Sequence, residues 1–272
     1  MNSNKISRMI RYLITMGFLF ISISTNAVTQ YDQNVTPDVI FGTGNPNGGF
    51  TTDRSNNIEV GLRLKIPFTT IINSNGDGTY SFSAAELATG TPPGVWNFEF
   101  TVNTHYNTPS GPNLNNFTYE LGLDADPSLA TNFLVFDPIT PTAIPPFYDH
   151  SIGDNSTANG GGTEAGDAAT YVSLLLNNNV LQQSWRYGFF TALPPLNTFD
   201  PSIPGTYAIY FLVRDMGGNV VGRSDIQVLI DGAHPVISPS AVPSLGLTGI
   251  LFLTLLLGAF AFNHKRKLVR QN

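Results

Sequence analysis

The sequence predicts a mainly β protein. The expected fold is an antiparallel β-sandwich, immunoglobulin-like or jelly-roll-like, with one short helix, an N-terminal signal peptide and one C-terminal transmembrane helix. Three observations predict it. Segments in the middle of the chain alternate apolar and polar residues, clusters of Gly, Pro and Asn separate them, and both chain ends carry an apolar run beside basic residues.

The predicted parts follow one another along the chain. They are a signal peptide at 1–27, an exported β-sandwich domain at 28–232, a stalk with a sorting motif at 233–244, a transmembrane helix at 245–262 and a basic cytoplasmic tail at 263–272.

The N-terminus has the three parts of a secretory signal peptide. Lys5, Arg8 and Arg11 precede an apolar stretch, and small and polar residues follow as far as Ala27. We expect export through the Sec translocon and cleavage by signal peptidase after Ala27. An uncleaved N-terminal anchor is the alternative, which the shortness of the apolar stretch disfavours.

Strands are predicted where side chains alternate. In residues 58–66 every second residue is apolar, whereas Glu59, Arg63 and Lys65 share the other face. Residues 95–104 and 116–124 alternate in the same way. Turn signals bound these segments: we read "NSNGDG" as a hairpin loop and "RDMGGNVV" as the turn of a final hairpin. The spacing predicts about eight or nine strands.

One helix is predicted after residue 166. Asp167 is placed to cap its start, and Tyr171, Leu174 and Leu175 fall on one face. The preceding residues, 151–166, offer little to bury, so we expect a long exposed loop there.

The C-terminal apolar run is long enough to cross a bilayer. Residues 245–262 are about 18 uncharged residues, which a helix extends over roughly 27 Å. Four basic residues follow: Lys265, Arg266, Lys267 and Arg270. A buried terminal helix is the alternative.

The charge distribution indicates that the middle of the chain is exported. All 19 acidic residues but only six of the 13 basic residues lie between the two terminal segments, which gives a net charge of about −13 there. Basic flanks stay on the cytoplasmic side of a membrane. A domain this acidic repels nucleic acid, so we exclude nucleic-acid binding as its role. The chain has no cysteine, which excludes thiol catalysis and cysteine-based zinc sites.

One loop resembles half of a calcium site. Asn73, Asn75 and Asp77 alternate and Gly78 follows, as in the first half of a calcium-binding loop, but Ala84 stands where a bidentate Glu is needed. An ordinary turn is the alternative. No other cofactor is expected.

Two further acidic groups have two readings each. Asp124 and Asp126 could flank a metal or a sugar, or could end a strand in solvent. Residues 149–154 include Asp149, His150, Ser151 and Asp154. They lie in a row, whereas catalytic triads converge in space, and neither G-x-S-x-G nor H-E-x-x-H occurs. A polar loop is the favoured reading of that segment.

Aromatic residues and sequons complete the candidates. Trp185, Tyr187 and Phe189 alternate, as in a strand that faces a core; buried they would pack, and exposed they would stack on sugar rings. We favour packing. Three N-x-Thr sequons begin at Asn34, Asn116 and Asn155.

The two chain ends together resemble the sorting signals of exosortase-processed bacterial surface proteins of the PEP-CTERM type. Val242, Pro243, Ser244 and Leu245 precede the apolar span and the basic cluster, and this motif is closest to the IPTL variant. No Pro-Glu-Pro is present, and Ser244 stands where that variant has Thr. Segments such as "VWNFEFTVNT", "FTYELGLDADPS" and "SWRYGFF" also resemble exported proteins of this type. The resemblance implies the export route and a shared fold, with no assigned activity.

These observations predict a cell-surface or extracellular-matrix structural or interaction protein, not an enzyme. A carbohydrate-binding surface module, with or without calcium, is the alternative, and a secreted hydrolase ranks last. Expected partners are an exosortase-type transpeptidase and a surface polysaccharide or matrix. The C-terminal helix would make a single-pass membrane protein that reaches the cell surface or the medium once the tail is processed.

Overall fold

The computed structural model describes residues 29–66, 74–83, 96–140, 149–200 and 203–232. All of them belong to the first of two compact units, Met1–Pro235, whereas the second is Val236–Asn272. The predicted signal peptide, stalk, transmembrane helix and tail therefore lie outside the described residues. Within the described ranges, no helix has the length and apolarity needed to cross a membrane.

Eleven strands make up most of the regular structure in the described ranges. In chain order they are β1 (Thr29–Gln33), β2 (Phe50–Ser55), β3 (Ile58–Lys65), β4 (Thr79–Phe82), β5 (Asn97–Asn103), β6 (Thr118–Asp124), β7 (Phe133–Phe136), β8 (Ser151–Gly153), β9 (Val180–Arg186), β10 (Gly205–Arg214) and β11 (Val220–Ile230).

The strands form two sheets, which confirms the mainly β prediction and fits a β-sandwich. The first sheet has the order β1-β2-β3-β5-β9-β8 and the second has the order β4-β11-β10-β6-β7. The strand count exceeds the prediction because short strands such as β7 and β8 do not show an alternating pattern.

One strand pair departs from the predicted antiparallel arrangement. β4 pairs in parallel with β11, and Tyr80 lies opposite Val228. β3 and β4 belong to different sheets, so the predicted hairpin at "NSNGDG" is wrong. The described part of that loop enters β4 through a tight turn, in which Gly76 and Gly78 have φ values of 82° and 81°.

The core lies between the sheets. Apolar side chains at alternate positions of β3, β5 and β6 are buried, as the period of two predicts. Phe100 of β5 and Phe211 of β10 meet across the sheets with ring centroids 5.0 Å apart. Full burial of such a side chain contributes roughly 1.5–3 kcal/mol.

Side chains of β2 and β11 join the sheets at one side. Ser55 donates its hydroxyl to the Val221 carbonyl at 2.9 Å, and Ser224 donates its hydroxyl to the Thr51 carbonyl at 2.7 Å. Each sheet thus provides one hydroxyl donor and one carbonyl acceptor to the other.

The predicted final hairpin and the predicted helix are both confirmed. β10 and β11 are joined by a turn closed by the Asp215 N–H and the Asn219 carbonyl at 2.9 Å. The helix α1 spans Ala168–Asn177, and the Asp167 carboxylate accepts a hydrogen bond from the Thr170 N–H. Tyr171 and Leu175 are buried, and the partly buried Leu174 packs beside them.

The long exposed loop predicted at 151–166 is confirmed only in part: residues 154–166 lack helices and strands and none of them is buried, but the first three residues form a buried strand. Ser151–Gly153 is β8, and Ile152 is buried and exchanges two backbone hydrogen bonds with Thr163. Gly162 further on donates its N–H to the Ile40 carbonyl at 2.9 Å. The segment is held by main-chain bonds, which its side-chain composition does not reveal.

Residues 34–49, here called the covering segment, lie on the outer face of the first sheet. Val39 and Phe41 from this segment pack with Phe50 of β2 in a second small apolar cluster. The Ile40 N–H donates to the Gln182 side chain at 2.8 Å, and the Gln182 amide donates back to the Asp38 carbonyl at 2.8 Å. The covering segment therefore removes much of this face from solvent.

The burial of this face corrects the prediction for the polar side of β3. Glu59 and Arg63 are each 0% exposed and Lys65 is 8% exposed, whereas alternation suggested a solvent-facing side. Glu59 accepts hydrogen bonds from Arg54 and from the Thr36 N–H. Burial raises the pKa of Glu59, an effect that these bonds oppose.

Candidate functional site

A cleft of about 360 Å³ opens on the outer face of the first sheet, beside the covering segment. Three strands supply one row of its residues, because Lys65 of β3 lies opposite Asn97 of β5 and Asn97 lies opposite Arg186 of β9. The lining residues are Phe41, Asn45, Lys65, Asn97, Glu99, Ser184, Arg186 and Phe189.

The next row of the sheet contains a buried ion pair. The Arg63 Nε donates to Glu99 Oε2, and both side chains are at most 2% exposed. Arg63 also donates to the carbonyls of Pro46 and Gly48, at 2.8 and 2.6 Å, and Ser184 donates to Glu99 Oε1 at 3.1 Å. The negative charge of Glu99 is therefore matched within the protein, and the pair fastens the covering segment to the sheet.

Lys65 and Asn97 offer polar groups at the cleft. Lys65 Nζ donates to the neutral Asn45 amide oxygen at 2.9 Å, which leaves its charge uncompensated by that contact. Asn97 donates to the Ser184 hydroxyl at 3.1 Å, while its Oδ1 has no hydrogen-bond partner within the described ranges. The cleft thus presents a cationic donor and an unused amide acceptor next to each other.

The three alternating aromatic residues divide between core and surface. Trp185 and Tyr187 are buried, which confirms the packing prediction for them, whereas Phe189 is 68% exposed. The reason is that β9 ends at Arg186 and a 3₁₀ turn, Tyr187–Phe190, ends the alternation. Phe189 therefore stands at the side of the cleft with its ring in solvent.

The two calcium candidates among the described residues, Asn75 and Asp77, bond to Thr79 and Ser81. Asn73 lies outside the described residues. Asn75 donates its amide to the hydroxyls of Thr79 and Ser81, and Asp77 accepts from the N–H and hydroxyl of Thr79. These bonds close a turn. In the described ranges, no three His, Cys, Asp or Glu residues form a group that could hold a metal ion.

Asp124 and Asp126 organise a loop. Asp124 is 1% exposed and accepts hydrogen bonds from the N–H groups of Asp126, Asn132 and Ala208. Burial raises its pKa, and these bonds oppose the rise. The partly exposed Asp126 accepts a hydrogen bond from the Ser128 N–H, which lowers its pKa. The Asp124 carboxylate therefore serves to accept hydrogen bonds from backbone N–H groups.

Residues 149–154 are not the polar loop that was predicted. His150 is 0% exposed, and its ring lies 5.2 Å from that of Trp185 and 5.9 Å from those of Phe100 and Tyr171. Ser151 belongs to β8, and Asp154 accepts from the N–H and hydroxyl of Ser156. His150 contributes to an aromatic part of the core.

The sequon residues differ in exposure. Asn34 and Asn116 are exposed. Asn155 instead accepts hydrogen bonds from the Asn103 and Asn179 amides, at 2.7 and 3.1 Å, and donates to the His105 carbonyl at 3.1 Å. A glycan on Asn155 would disrupt these contacts.

Sequence reasoning missed the cleft because its residues read as the solvent-facing side of ordinary strands. One signal was available: Lys65 and Arg186 are two of only six basic residues in the middle of an acidic chain.

The predicted sorting motif and the predicted basic tail lie outside the described residues. Their residues are Val242, Pro243, Ser244, Leu245, Lys265, Arg266, Lys267 and Arg270. No known protein family matches the chain, and neither does any curated protein sequence.

Proposed function

We propose that the protein is an exported cell-surface or extracellular-matrix structural or interaction protein, sorted through its C-terminal signal. The observation that carries this proposal is the combined layout of the two chain ends. A signal peptide at 1–27 is matched by Val242 to Leu245, an apolar span and a basic cluster. In this proposal the tail is a transient anchor that an exosortase-type transpeptidase removes.

The acidic β-sandwich supports a role outside the cytoplasm. The middle of the chain carries a net charge of about −13, which favours solubility. Two sheets that share one core and are joined by side-chain bonds give a rigid body without disulfides. Such a body suits a protein that presents a surface to a matrix.

The intact mass of the mature protein recovered from its host tests the sorting proposal. We expect the tail beyond the region of Pro243 to Leu245 to be missing. Pro243→Ala should leave the tail in place, whereas Pro239→Ala, in the stalk, should be processed normally. A mature wild-type protein that retains Asn272 would contradict the proposal and make the helix a permanent anchor.

The cleft favours a second function, binding of surface carbohydrate. An exposed ring at Phe189 beside the hydrogen-bonding groups of Asn97 and Lys65 supports this proposal, because sugars combine an apolar face with hydroxyl groups. A glycan array probed with the full chain tests this, with and without calcium. Binding that Phe189→Ala abolishes is the expected result, and an array with no binding under either condition would contradict it.

A further inference from the structure

We propose that the cleft binds a sugar that carries a carboxylate, such as a hexuronate unit of an acidic polysaccharide. Lys65 and Arg186 would bind the carboxylate. Asn97 would accept a hydrogen bond from a sugar hydroxyl, and Phe189 would stack on the sugar ring. This inference rests on the carbohydrate-binding function proposed above and names its ligand class.

Charge is the first argument. Lys65 lines the cleft and donates to the neutral Asn45 amide, whereas the negative charge of the lining residue Glu99 is matched by the neighbouring Arg63. The cleft is therefore locally positive on a domain that is strongly negative. At physiological salt the Debye length is about 8 Å, so distant carboxylates are largely screened and the local cations determine which ligand binds.

The exposed ring is the second argument. Phe189 is 68% exposed although it follows a strand whose neighbouring aromatic residues are buried. The C–H face of a pyranose covers such a ring and removes its apolar surface from water, at about 25 cal/mol per Å². A small inorganic anion has no such face, so the ring favours a sugar over a small anion.

The unused acceptor is the third argument. Asn97 Oδ1 has no partner within the described ranges, and leaving a buried acceptor unsatisfied costs free energy. A sugar hydroxyl is a donor of suitable size.

The dimensions set the size of the ligand. Lys65 and Arg186 lie two strands apart in one row, which is roughly 10 Å at the usual strand spacing. A volume of about 360 Å³ is near the lower end of ligand pockets. We therefore infer that the site recognises one or two sugar units and that affinity for a polymer comes from its many copies.

Titration calorimetry of the full chain, purified in detergent, tests the inference with short oligosaccharides of galacturonate, glucuronate and mannuronate. Their methyl esters and the corresponding neutral oligosaccharides are the comparison ligands, and sulfated oligosaccharides form a further arm. We expect at least one uronate to bind and its methyl ester to bind about tenfold more weakly, since one charge-assisted contact is lost. Raising the salt concentration should weaken uronate binding.

Single substitutions test the contributions of the aromatic ring and of the positive charge separately. Phe189→Ala should weaken binding about tenfold and leave the melting temperature unchanged, because the ring is exposed. Leu129→Ala, which is also 68% exposed, is the matched control and should bind normally. Arg186→Gln should weaken uronate binding, whereas Arg214→Gln, on the second sheet, should not.

The outcomes distinguish this inference from the function on which it rests. If neutral and acidic sugars bind equally and Phe189→Ala weakens both, carbohydrate binding stands and the carboxylate inference fails. If only sulfated sugars bind, the carboxylate inference also fails. If no oligosaccharide binds to the folded chain, both proposals are overturned.

Discussion

Asp53 of β2 accepts a hydrogen bond from the backbone N–H of Arg223 in β11 at 2.8 Å, so a carboxylate that is 3% exposed links the two sheets. Burial raises the pKa of Asp53 above its usual 3.8, although the Arg223 bond lowers it in part. The Asp53 carboxyl therefore stays protonated to a higher pH in the folded state than in the unfolded state. The folded protein loses stability as the pH rises from the unfolded pKa of this group through its folded pKa.

The first prediction concerns Asp53→Asn, which keeps an oxygen acceptor and removes the charge. The stability of this variant relative to the wild type should increase as the pH rises from about 4 to 7, because only the wild type loses stability on ionisation. Urea unfolding at a series of pH values measures it. A difference that stays constant or decreases over this range would contradict the assignment.

Asp126→Asn is the control of opposite sign. The Ser128 N–H lowers the pKa of Asp126, so the ionised form of this carboxyl is favoured in the folded state. That stability is present above the unfolded pKa and is lost as the pH falls through the folded pKa. The Asn variant should therefore lose stability relative to the wild type as the pH rises.

The second prediction concerns the buried pair of Arg63 and Glu99. Arg63→Met should reduce the free energy of unfolding by about 3–5 kcal/mol, because it leaves Glu99 charged and buried. The double variant with Glu99→Gln should recover part of this loss. Arg214→Met is the control, since its ion pair with Glu120 is about one-third exposed and worth at most about 1 kcal/mol. A double variant no more stable than Arg63→Met would show that the buried charge is not the cause.

The third prediction compares two sequons. Asn155→Ala removes a side chain that bonds to the Asn103 and Asn179 amides and the His105 carbonyl, so it should cost about 1–3 kcal/mol. Asn116→Ala changes an exposed residue and should stay within about 0.5 kcal/mol of the wild type. Thermal and urea unfolding measure both. Equal effects would mean that the amide network contributes little.

The fourth prediction concerns Gly122 of β6, which lies opposite Tyr210 of β10. A methyl group at Gly122 would meet the Tyr210 ring at 2.1 Å, so Gly122→Ala must displace a ring whose hydroxyl donates to Glu120 at 2.9 Å. We expect a loss of about 1–3 kcal/mol. Gly166→Ala, where no atom lies within 4 Å, should cost nothing, and a comparable loss there would contradict the steric explanation.

The features that depend on a few consecutive residues were predicted correctly from the sequence. The inward faces of β3, β5 and β6 follow from a period of two, and Asp167 caps α1 because its side chain reaches an N–H three residues away. Both are properties of a few consecutive residues. The sequence carries them regardless of what the rest of the chain does.

Distant contacts account for what was missed. Nothing near Arg63 shows that residues 34–49 will cover it, and nothing near Tyr80 shows that its strand will pair in parallel with Val228. The packing predicted for Phe189 is wrong for a local reason, the end of β9 at Arg186. The cleft depends on all three strands that supply its residues and on the covering segment, so no single segment of sequence predicts it.

The covering segment also constrains the order in which the fold is completed. Its residues leave the ribosome before β2, yet Ile40 bonds to Gln182, 142 residues later in the chain. Contacts at such separation close late because of the loop entropy they cost. We therefore expect the earliest part of the domain to be synthesised to be among the last to fold, because it needs β9 to be available.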